Sequence, residues 1–553
     1  MIDKKIKIFL KNINKEFEVN YGLKVYELLK YLENQEEYIA AFVNNEATSL
    51  SYTLKINSKV EFITITNTFG MEIYRRSLSF LLTKVVKKLF PNRRLIIGHS
   101  LGPGYYFDLI NEKELTKEET AKIKEEMLKE IEADKPIIRE KIGYEEALEY
   151  FRKNNREDKV KLLESLNMSK LSIYKCDDFF EVFDGPLALR TGILKVFDII
   201  YYAPGFILQF PKKSEPDKVS PFTEQRKIFE VYRESKYRGK ILKVDNVGAL
   251  NEIIRNNEID NFIQIAEELQ TREIIKISDT IASQKDRIKL ITIAGPSSSG
   301  KTTFSKKLSL MLETNGIKPF TLSIDNYFVD REKTPKDENG KPDYESIYAL
   351  NIELLNENLV KLMKGEKVRL PRYDFFTGKS TLSNEETSLK RNQMIIIEGI
   401  HCLNDELTPF IPREEKFKIY VSALTQMNID DNNRIPTTDN RILRRMVRDY
   451  KYRGHSAKKT FQMWPLVRNG EEKYIFPFQN EADGYFNSSL DYELAVLKPY
   501  AEPILMQIKP YDEEYADAIR LLKFLNYFLS VPSKNVPSTS ILREFIGGSF
   551  FDY

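Results

Sequence analysis

The chain contains few residues of the types that build disulfides and metal clusters. It has 2 cysteines, 3 histidines and 1 tryptophan in 553 residues. Two thiols, Cys176 and Cys402, are too few for a disulfide framework and suit a reducing compartment. His401 and Cys402 are adjacent, without the gap of about two to five residues that zinc ligands usually have. We therefore expect neither a disulfide scaffold nor a dedicated Cys/His metal site.

The chain also lacks an excess of one charge and long apolar runs. Lysine and arginine number 85 against 82 aspartates and glutamates, a net charge of +3, so no global field favours nucleic acid or a membrane. No apolar run approaches the length of a membrane-spanning helix, and the N-terminus lacks the apolar core of a signal peptide. The length predicts several domains. A cytoplasmic globular protein with no membrane partner is the expectation.

A glycine-rich loop opens a helix in the second half of the chain. The segment Gly295-Pro-Ser-Ser-Ser-Gly-Lys-Thr-Thr303 has the pattern G-x-x-x-x-G-K-[ST] and follows an apolar, strand-like run. In this pattern backbone N–H groups hold nucleotide phosphates, the lysine reaches the β- and γ-phosphates, and the threonine hydroxyl ligates Mg²⁺. We therefore predict binding of ATP and Mg²⁺. The predicted nucleotide-binding residues are Gly295, Ser297, Ser298, Ser299, Gly300, Lys301, Thr302 and Thr303.

Two acidic residues end strand-like runs that follow this segment in the chain. Asp325 lies at the carboxyl end of the strand after the loop helix, where ligands gather in open α/β sheets. We predict that it accepts the proton of a substrate hydroxyl and contacts Mg²⁺; a turn aspartate that only ends the strand is the alternative. Glu398 closes the apolar run from Met394, which predicts an acid that orients Mg²⁺ directly or through water. A buried acid with a local partner is its alternative.

Arginines recur at helical spacing between positions 441 and 448. Arg441, Arg444 and Arg448 fall on one helical face. We predict that this face closes over the triphosphate as a lid, with Arg444 stabilising the transition state and Arg441 and Arg448 binding the nucleotide. The alternative is a solvated basic face paired with Asp439 and Asp449.

The order of apolar patterns predicts a multidomain protein of mixed α/β and α+β class. Strand-like runs around one helical pattern predict a β-grasp module, and the later alternation of strands with helices, including a strand at 494–497, predicts a parallel sheet. Pro211, Pro216 and Pro221 mark a boundary. We predict a β-grasp domain over 1–66, an α+β domain over 67–210, a helical connector over 211–284, a parallel α/β domain over 285–531 and a tail over 532–553.

The second half resembles the uridine kinase/phosphoribulokinase family. The resemblance covers roughly residues 285 to 530, with the phosphate loop, Asp325-Asn-Tyr-Phe328, Pro371-Arg-Tyr-Asp-Phe375, Glu398-Gly-Ile-His401 and the arginine row in order. It implies a phosphate-loop kinase fold in which Asp325 is the base for a ribose 5′-hydroxyl. It also implies that Glu345 contacts the ribose hydroxyls, that Tyr327 lies in the substrate site and that Tyr373 packs against the base.

One segment departs from that family. After the Tyr-Asp-Phe motif, uridine kinases usually carry a histidine and then an arginine that help to define the base pocket. Here the run is Phe376-Thr-Gly-Lys-Ser380, with Gly378 and Ser380 at those places. The phosphoryl-transfer motifs are matched and the base-reading motif is not, so the acceptor stays open.

The first 210 residues resemble the N-terminal region of threonyl-tRNA synthetase. A TGS domain (1–66) and the second additional, editing-type domain (67–210) are matched through Tyr74–Leu82, Gly104–Asp108, Tyr144–Ala147 and Phe183–Leu187. The synthetase's His-x-x-x-His falls on Arg76 and Phe80, and its Cys-x-Gly-Pro-His on Phe183 and Leu187. Apolar side chains cannot bind metal or polarise water, so loss of editing is predicted. The three-part order, with the closing run Ser540–Ser549, resembles a bacterial nucleoside kinase subfamily.

The leading hypothesis from the sequence is an ATP- and Mg²⁺-dependent kinase that phosphorylates the 5′-hydroxyl of a uridine- or cytidine-like ribonucleoside. A kinase of another sugar or a pantothenate-like alcohol is the second. A nucleotide-gated RNA- or ribosome-binding protein is the third, favoured by the basic stretch Lys84–Lys88 with Arg93 and Arg94. A homo-oligomer and an RNA contact through the N-terminal domains are left open.

Overall fold

The computed structural model describes residues 4–110, 113–336, 340, 342–374 and 376–552. Phe375 of the Tyr-Asp-Phe motif lies outside them. The chain divides into two compact units, each assembled from separate stretches of sequence. The N-terminal unit comprises Met1–Glu258, Thr425–Pro436 and Ala501–Val531, and the C-terminal unit comprises Ile259–Leu424, Thr437–Tyr500 and Pro532–Tyr553. The finer five-part division stays a prediction.

The first 258 residues contain twelve named strands and six α-helices among the described positions. The strands are β1 (Lys5–Leu10), β2 (Lys15–Asn20), β3 (Tyr38–Val43), β4 (Glu46–Ser49), β5 (Ser58–Thr64), β6 (Arg94–Leu101), β7 (Gly104–Ile110), β8 (Ile138–Gly143), β9 (Lys170–Cys176), β10 (Phe179–Glu181), β11 (Asp198–Tyr202) and β12 (Gly205–Gln209). The helices are α1 (Thr68–Leu89), α2 (Lys117–Glu132), α3 (Tyr144–Lys153), α4 (Glu157–Ser165), α5 (Arg226–Leu242) and α6 (Val247–Arg255).

The remaining residues continue with helices and strands in alternation. The helices are α7 (Ile259–Ala282), α8 (Lys301–Thr314), α9 (Ile352–Met363), α10 (Thr437–Arg453), α11 (Ala457–Tyr474), α12 (Glu493–Leu505), α13 (Tyr515–Leu525) and α14 (Arg543–Ile546). The strands are β13 (Leu290–Ala294), β14 (Lys318–Ser323), β15 (Val368–Asp374), β16 (Lys379–Thr387), β17 (Gln393–Glu398), β18 (Lys416–Ser422) and β19 (Gly484–Asn487). Of the helices in the described part of the chain, none combines the length and apolar character that a membrane crossing requires.

The first sheet of the N-terminal unit has the order β2-β1-β5-β3-β4. Strand β1 pairs parallel with β5, and the other neighbours are antiparallel, which is the β-grasp arrangement that the sequence pattern predicts. The helical segment between β2 and β3 is a 3₁₀ helix, Val25–Tyr31, rather than an α-helix. It is short, and the Glu27 carboxylate accepts a hydrogen bond of 2.8 Å from the Lys24 N–H, which closes its first turn.

The α+β part of the N-terminal unit is built around α1 and the antiparallel sheet β11-β12-β7-β6. The apolar face of α1, including Leu78, Leu81 and Val85, is fully buried, as its helical spacing predicts. Helix α2 begins at the predicted capping box: the Thr116 side chain accepts from the Glu119 N–H at 3.2 Å and Glu119 accepts from the Thr116 N–H at 3.0 Å.

A network of buried charges holds Thr425–Pro436 within the N-terminal unit. Lys159 on α4 is 1% exposed, and its Nζ lies 2.8 Å from Asp430 and 3.1 Å from Glu181. Arg156 pairs with Asp158 at 2.9 Å and also contacts Glu181. Buried ions tolerate the loss of one partner poorly, because the other is left uncompensated.

We expect Lys159→Met to lower the free energy of unfolding of the N-terminal unit by about 3–5 kcal/mol, because Asp430 and Glu181 would lose a buried counter-charge. Denaturant unfolding of the full chain measures this loss. Lys161→Met is the matched control on the same helix: its partners Glu157 and Glu252 are solvent-exposed, and we expect less than about 1 kcal/mol. Equal losses in the two variants would contradict the prediction.

The C-terminal unit contains an all-parallel sheet of order β14-β17-β13-β18-β19. This confirms the parallel α/β class predicted from the alternation of strands and helices. In this register Ile293 and Ser323 both lie opposite Glu398, so the ends of β13, β14 and β17 meet at one edge. That edge carries the glycine-rich loop, Asp325 and Glu398.

One predicted strand is wrong. Residues 494–497 form the first turn of helix α12, and the fifth strand is β19, ten residues earlier along the chain. The apolar run Leu494-Ala-Val-Leu497 is fully buried, and four consecutive apolar residues have no periodicity that separates a buried strand from a buried helix.

Candidate active site

The glycine-rich loop connects β13 to α8 and has the backbone geometry of a phosphate cradle. Ser298 and Gly300 both have positive φ angles, 60° and 80°, just before α8 begins at Lys301. A Cβ atom on Gly295 would lie 2.0 Å from the Val421 carbonyl oxygen, so only glycine fits there. The loop therefore turns its N–H groups towards the start of α8, where anions are favoured.

Several polar groups in and around the loop are buried without a hydrogen-bond partner among the described residues. These are the hydroxyls of Ser298 and Ser299 and the Oε2 atom of Glu398. A buried polar atom without a partner is costly, and bound phosphate or metal would satisfy these groups. This arrangement fits a nucleotide with Mg²⁺.

Lys301, Thr302 and Glu398 form a connected group at the mouth of the loop. The Thr302 hydroxyl donates to Glu398 at 3.0 Å, and the Lys301 ammonium donates to the Gly295 carbonyl at 2.8 Å. Burial raises the pKa of Glu398, while the Lys301 charge and the Thr302 hydrogen bond lower it. Burial likewise lowers the pKa of Lys301. In the part of the chain that the structure describes, no three acidic, histidine or cysteine side chains cluster as a metal site. Thr302 and Glu398 are thus the residues that would hold Mg²⁺, with nucleotide oxygens and water completing the shell.

Asp325 lies just beyond β14, in the 3₁₀ segment Ile324–Tyr327, and its side chain is reachable from solvent. Reduced solvation within the concave edge raises its pKa, while the charges of Lys301 and Arg453 lower it. Both cations thus act on Asp325 through their charge. A solvent-accessible carboxylate with a raised pKa, beside the phosphate loop, has the properties of a general base.

Glu345 is the residue that the resemblance assigns to the ribose hydroxyls, and that role stays a prediction. Its pKa is raised by burial, while the charges of Arg445 and Lys301 lower it. A Cβ atom on Gly470 of α11 would lie 3.2 Å from the Glu345 Cγ atom, which shows how closely the helix packs against it.

The two tyrosines predicted to contact substrate are buried. Tyr327 is 1% exposed in the core beneath the sheet edge, and its hydroxyl accepts a hydrogen bond of 3.1 Å from Asn358. Burial raises the pKa of its hydroxyl to about 12. The hydroxyl of Tyr327 is thus engaged inside the core, and the prediction that Tyr327 contacts substrate stays a prediction. Tyr373 is 6% exposed, and its ring packs 5.5 Å from that of Phe328.

Two arginines of the row contact the backbone of the phosphate loop. Arg441 is 2% exposed, donates to the Ser297 carbonyl at 2.9 Å and contacts Glu471. Arg444 is fully buried, donates to the Ser298 carbonyl at 3.3 Å and pairs with Glu493. Both guanidinium groups are engaged with carbonyls of the loop and with buried acids. The prediction that these two residues form a lid over the triphosphate stays a prediction.

Arg448 and its neighbours on α10 have other partners. Arg448 lies 3.4 Å from both Asp449 and Glu544. Arg445 was not among the predicted residues, although it follows Arg441 by one helical turn on the same face. It donates to the Ser297 hydroxyl at 2.8 Å, and its charge lowers the pKa of Glu345.

Two acidic residues that contact the loop were not predicted from the sequence. Glu471 on α11 is 2% exposed and accepts a hydrogen bond of 3.0 Å from the Ser297 N–H. Glu544 on α14 accepts from the Thr303 hydroxyl at 2.7 Å. Glu471 lies in no sequence motif, and Glu544 lies in the closing run Ser540–Ser549, for which the sequence predicted no role.

The N-terminal unit packs apolar side chains where a synthetase would edit. Phe80, Phe183 and Leu187 are 0%, 6% and 0% exposed, and the two phenylalanine rings lie 5.8 Å apart. The Arg76 guanidinium donates to the Pro186 carbonyl at 2.9 Å. The side chains at positions 80, 183 and 187 are apolar and cannot ligate a metal, while Cys176 and Tyr174 lie in the same buried cluster.

Residues 290–494 match the model of the Phosphoribulokinase / Uridine kinase family. This range contains the parallel sheet and the phosphate loop. Asp325 and Glu398 also lie in it, at or just beyond the end of a strand. The C-terminal part of the chain therefore contains a phosphoribulokinase/uridine kinase domain.

The N-terminal half matches threonine–tRNA ligases. The enzyme from Desulforamulus reducens is 34% identical over 205 residues, which cover 36% of this chain and 32% of the relative. The enzyme from Acetivibrio thermocellus is 30% identical, covering 41% of this chain and 40% of the relative. The chain spans about a third of the length of the curated relatives that it matches.

Among solved structures, a possible uridine kinase from Bacillus stearothermophilus is 22% identical and has a TM-score of 0.26. It covers 39% of this chain and 98% of its own. A putative fructose transport system kinase from Silicibacter sp. TM1040 is 13% identical, with a TM-score of 0.26 and coverage of 38% and 98%. The domain assignment depends on the family match and not on these overlaps.

Proposed function

We propose that the protein is an ATP- and Mg²⁺-dependent kinase that phosphorylates the 5′-hydroxyl of a ribonucleoside. The observation that carries this proposal is the meeting of the phosphate loop, the Thr302–Glu398 pair and Asp325 at one edge of the parallel sheet. Phosphoryl transfer depends mainly on positioning and charge stabilisation, and this edge supplies both.

Each residue has a separable role in this proposal. Bound Mg·ATP supplies the phosphoryl group and the divalent cation that offsets its charge. The loop N–H groups and Lys301 hold the phosphates, and Thr302 and Glu398 orient the cation. Asp325 accepts the proton of the acceptor hydroxyl as the hydroxyl oxygen attacks, and Glu345 holds the neighbouring ribose hydroxyls. Arg441 and Arg444 fix the loop backbone in the shape that the phosphates require.

A kinase of another sugar or small alcohol is a second candidate, favoured by the acceptor side of the site. Gly378 has a φ of 72°, and a Cβ atom there would lie 2.7 Å from the Arg331 Nε atom. Arg331 thus packs where the base-reading histidine of uridine kinases would stand. An arginine in that place favours an acceptor with hydrogen-bond acceptors or negative charge of its own.

The basic stretch gives the RNA-switch hypothesis little support. Of the basic stretch, Lys84 pairs with Glu130 at 2.6 Å, Arg93 with Glu119 at 3.2 Å, and Arg94 with Asp431. Cations already paired within the protein release few counterions on binding RNA. We propose that the N-terminal domains, over 1–66 and 67–210, form a non-editing module that modulates the kinase.

An acceptor panel tests the proposal. We expect ATP consumption with Mg²⁺ in the presence of a ribonucleoside, with the mass of a monophosphate product, and a loss of at least about 10²-fold in Lys301→Ala. Deoxynucleosides, ribulose 5-phosphate and pantothenate complete the panel. Turnover with a sugar or pantothenate alone would favour the second candidate. Silence across the panel with Mg·ATP binding intact would contradict both kinase proposals.

A further inference from the structure

The C-terminal segment Ser540–Gly547 folds directly onto the phosphate loop of its own unit. It lies outside the range 290–494 that matches the kinase family. Ser540, Ile541, Leu542 and Phe545 are all fully buried. The Ile541 Cγ2 atom fills the space beside Gly300, 2.4 Å from where a Cβ atom would stand. The segment thus contacts the phosphate loop from outside the range that matches the family model.

Glu544 is the charged residue that this segment brings to the loop. One oxygen of its carboxylate accepts a hydrogen bond of 2.7 Å from the Thr303 hydroxyl and lies 3.4 Å from the Thr303 N–H. The other lies 3.4 Å from the Arg448 guanidinium. Glu544 is only 8% exposed, so this carboxylate is enclosed between the first turn of α8 and α10.

Thr303 closes the glycine-rich motif and lies in the first turn of α8. The N–H groups of a first helical turn have no partner within the helix, and in a phosphate loop they hold the phosphates of the nucleotide. A carboxylate and a phosphate are both anions that need the same donors. They repel each other when they approach one site, so they cannot share it without cost.

We propose that Glu544 competes with a nucleotide phosphate for Thr303, so that the segment Ser540–Gly547 lowers the affinity for nucleotide and leaves Thr303 when nucleotide binds. This inference rests on the proposed nucleotide site. A binding site that is available in only a fraction of the molecules shows an affinity reduced by that fraction. A docked segment in about nine molecules of ten reduces the affinity about tenfold.

The segment is bonded both to itself and to the residues that precede it. The Arg543 guanidinium donates to the carbonyl of Gly547 at 3.2 Å, within the segment, and to the carbonyl of Ser533 at 2.8 Å, outside it. Gly547 and Gly548 follow with positive φ angles of 88° and 72°. Lys451 of α10 donates to the Ile546 carbonyl at 2.7 Å, and this hydrogen bond breaks when the segment leaves the loop.

The test measures binding of Mg·ADP and Mg·ATP to the full chain by calorimetry. Glu544→Gln keeps the size and one acceptor oxygen and removes the charge. We expect it to bind both nucleotides about tenfold more tightly than the native chain. Asp552→Asn is the matched control, because it removes an equal charge from an exposed position that follows the segment Ser540–Gly547. We expect its affinity to be unchanged.

Hydrogen exchange of the native chain provides the second measurement. We expect amides of 540–547 to exchange faster when Mg·ADP is added, since the segment leaves the loop. An affinity of Glu544→Gln equal to or weaker than native, or slower exchange of 540–547 with ADP, overturns the inference. Such a result together with ribonucleoside phosphorylation leaves the proposed function intact. Tighter binding without turnover on any acceptor supports the inference and contradicts the function, and absence of nucleotide binding in every variant overturns both.

Discussion

Replacing Asp325 with asparagine is expected to lower kcat by about 10²-fold or more while leaving the affinity for Mg·ATP within a few-fold of the native value. Asparagine has the same shape but cannot accept a proton from the acceptor hydroxyl. Asp325 is reachable from solvent, and the charge of Lys301 acts on it. The measurement is steady-state turnover with the acceptor found in the panel, paired with calorimetric binding of ATP.

The dependence of kcat on pH provides a second test of Asp325 as the base. Because the pKa of Asp325 is raised, the carboxylate is lost at a higher pH than in an ordinary aspartate. kcat of the native chain is therefore expected to fall as the pH falls through that raised pKa, and the residual kcat of Asp325→Asn to lack this acid limb. Asp286→Asn, in an exposed turn before β13, is the control and keeps native turnover. Native kcat in Asp325→Asn would exclude Asp325 as the base.

Replacing Arg444 with methionine is expected to lower the free energy of unfolding of the C-terminal unit by about 3 kcal/mol or more. Arg444 is fully buried between the phosphate loop and Glu493. Its guanidinium also donates to the Ser488 carbonyl at 2.9 Å. Methionine fills much of the volume but leaves Glu493 without its counter-charge. The loop carbonyl of Ser298 loses its donor as well, so nucleotide affinity is expected to fall together with stability.

This prediction separates a loop support from a lid. A lid arginine acts on the transition state, so its removal lowers kcat and leaves the unfolding free energy near the native value. Denaturant unfolding and turnover of the same sample distinguish the two. Arg391→Met, at an exposed arginine before β17, is expected to change stability by less than about 0.5 kcal/mol. Arg444→Lys keeps the charge but not the paired donors, and we expect only partial recovery.

Much of the fold could be predicted because it depends on local patterns. The capping box at Thr116 formed as its residues predict, and the β-grasp order and the parallel sheet follow from apolar runs and their spacing. The wrong strand prediction also has a local cause. Four apolar residues at 494–497 fit a strand or a helix equally well, and only the surrounding core made them helical.

Some features of the candidate site could likewise be predicted from the sequence, and others could not. Lys301, Thr302, Asp325 and Glu398 follow glycine spacing and strand ends, so their approach could be predicted from the sequence. Tyr327 could not be judged, because a motif gives the residue and not the direction of its side chain, which here points to Asn358 in the core. The arginine spacing predicted a helical face correctly, but not whether that face meets solvent, nucleotide or the back of the loop.

The sequence by itself determined the phosphate loop, the acids at the strand ends and the loss of polar groups at Phe80, Phe183 and Leu187. Each is a matter of residue type at a short spacing. Only the tertiary structure decided that Arg444 supports the loop and that Glu544 contacts Thr303. Thr303 and Glu544 are 241 positions apart, and a contact over that distance depends on how several elements pack together. No spacing along the chain encodes such a contact, because the free energy that holds it comes from the surfaces that the folded unit buries.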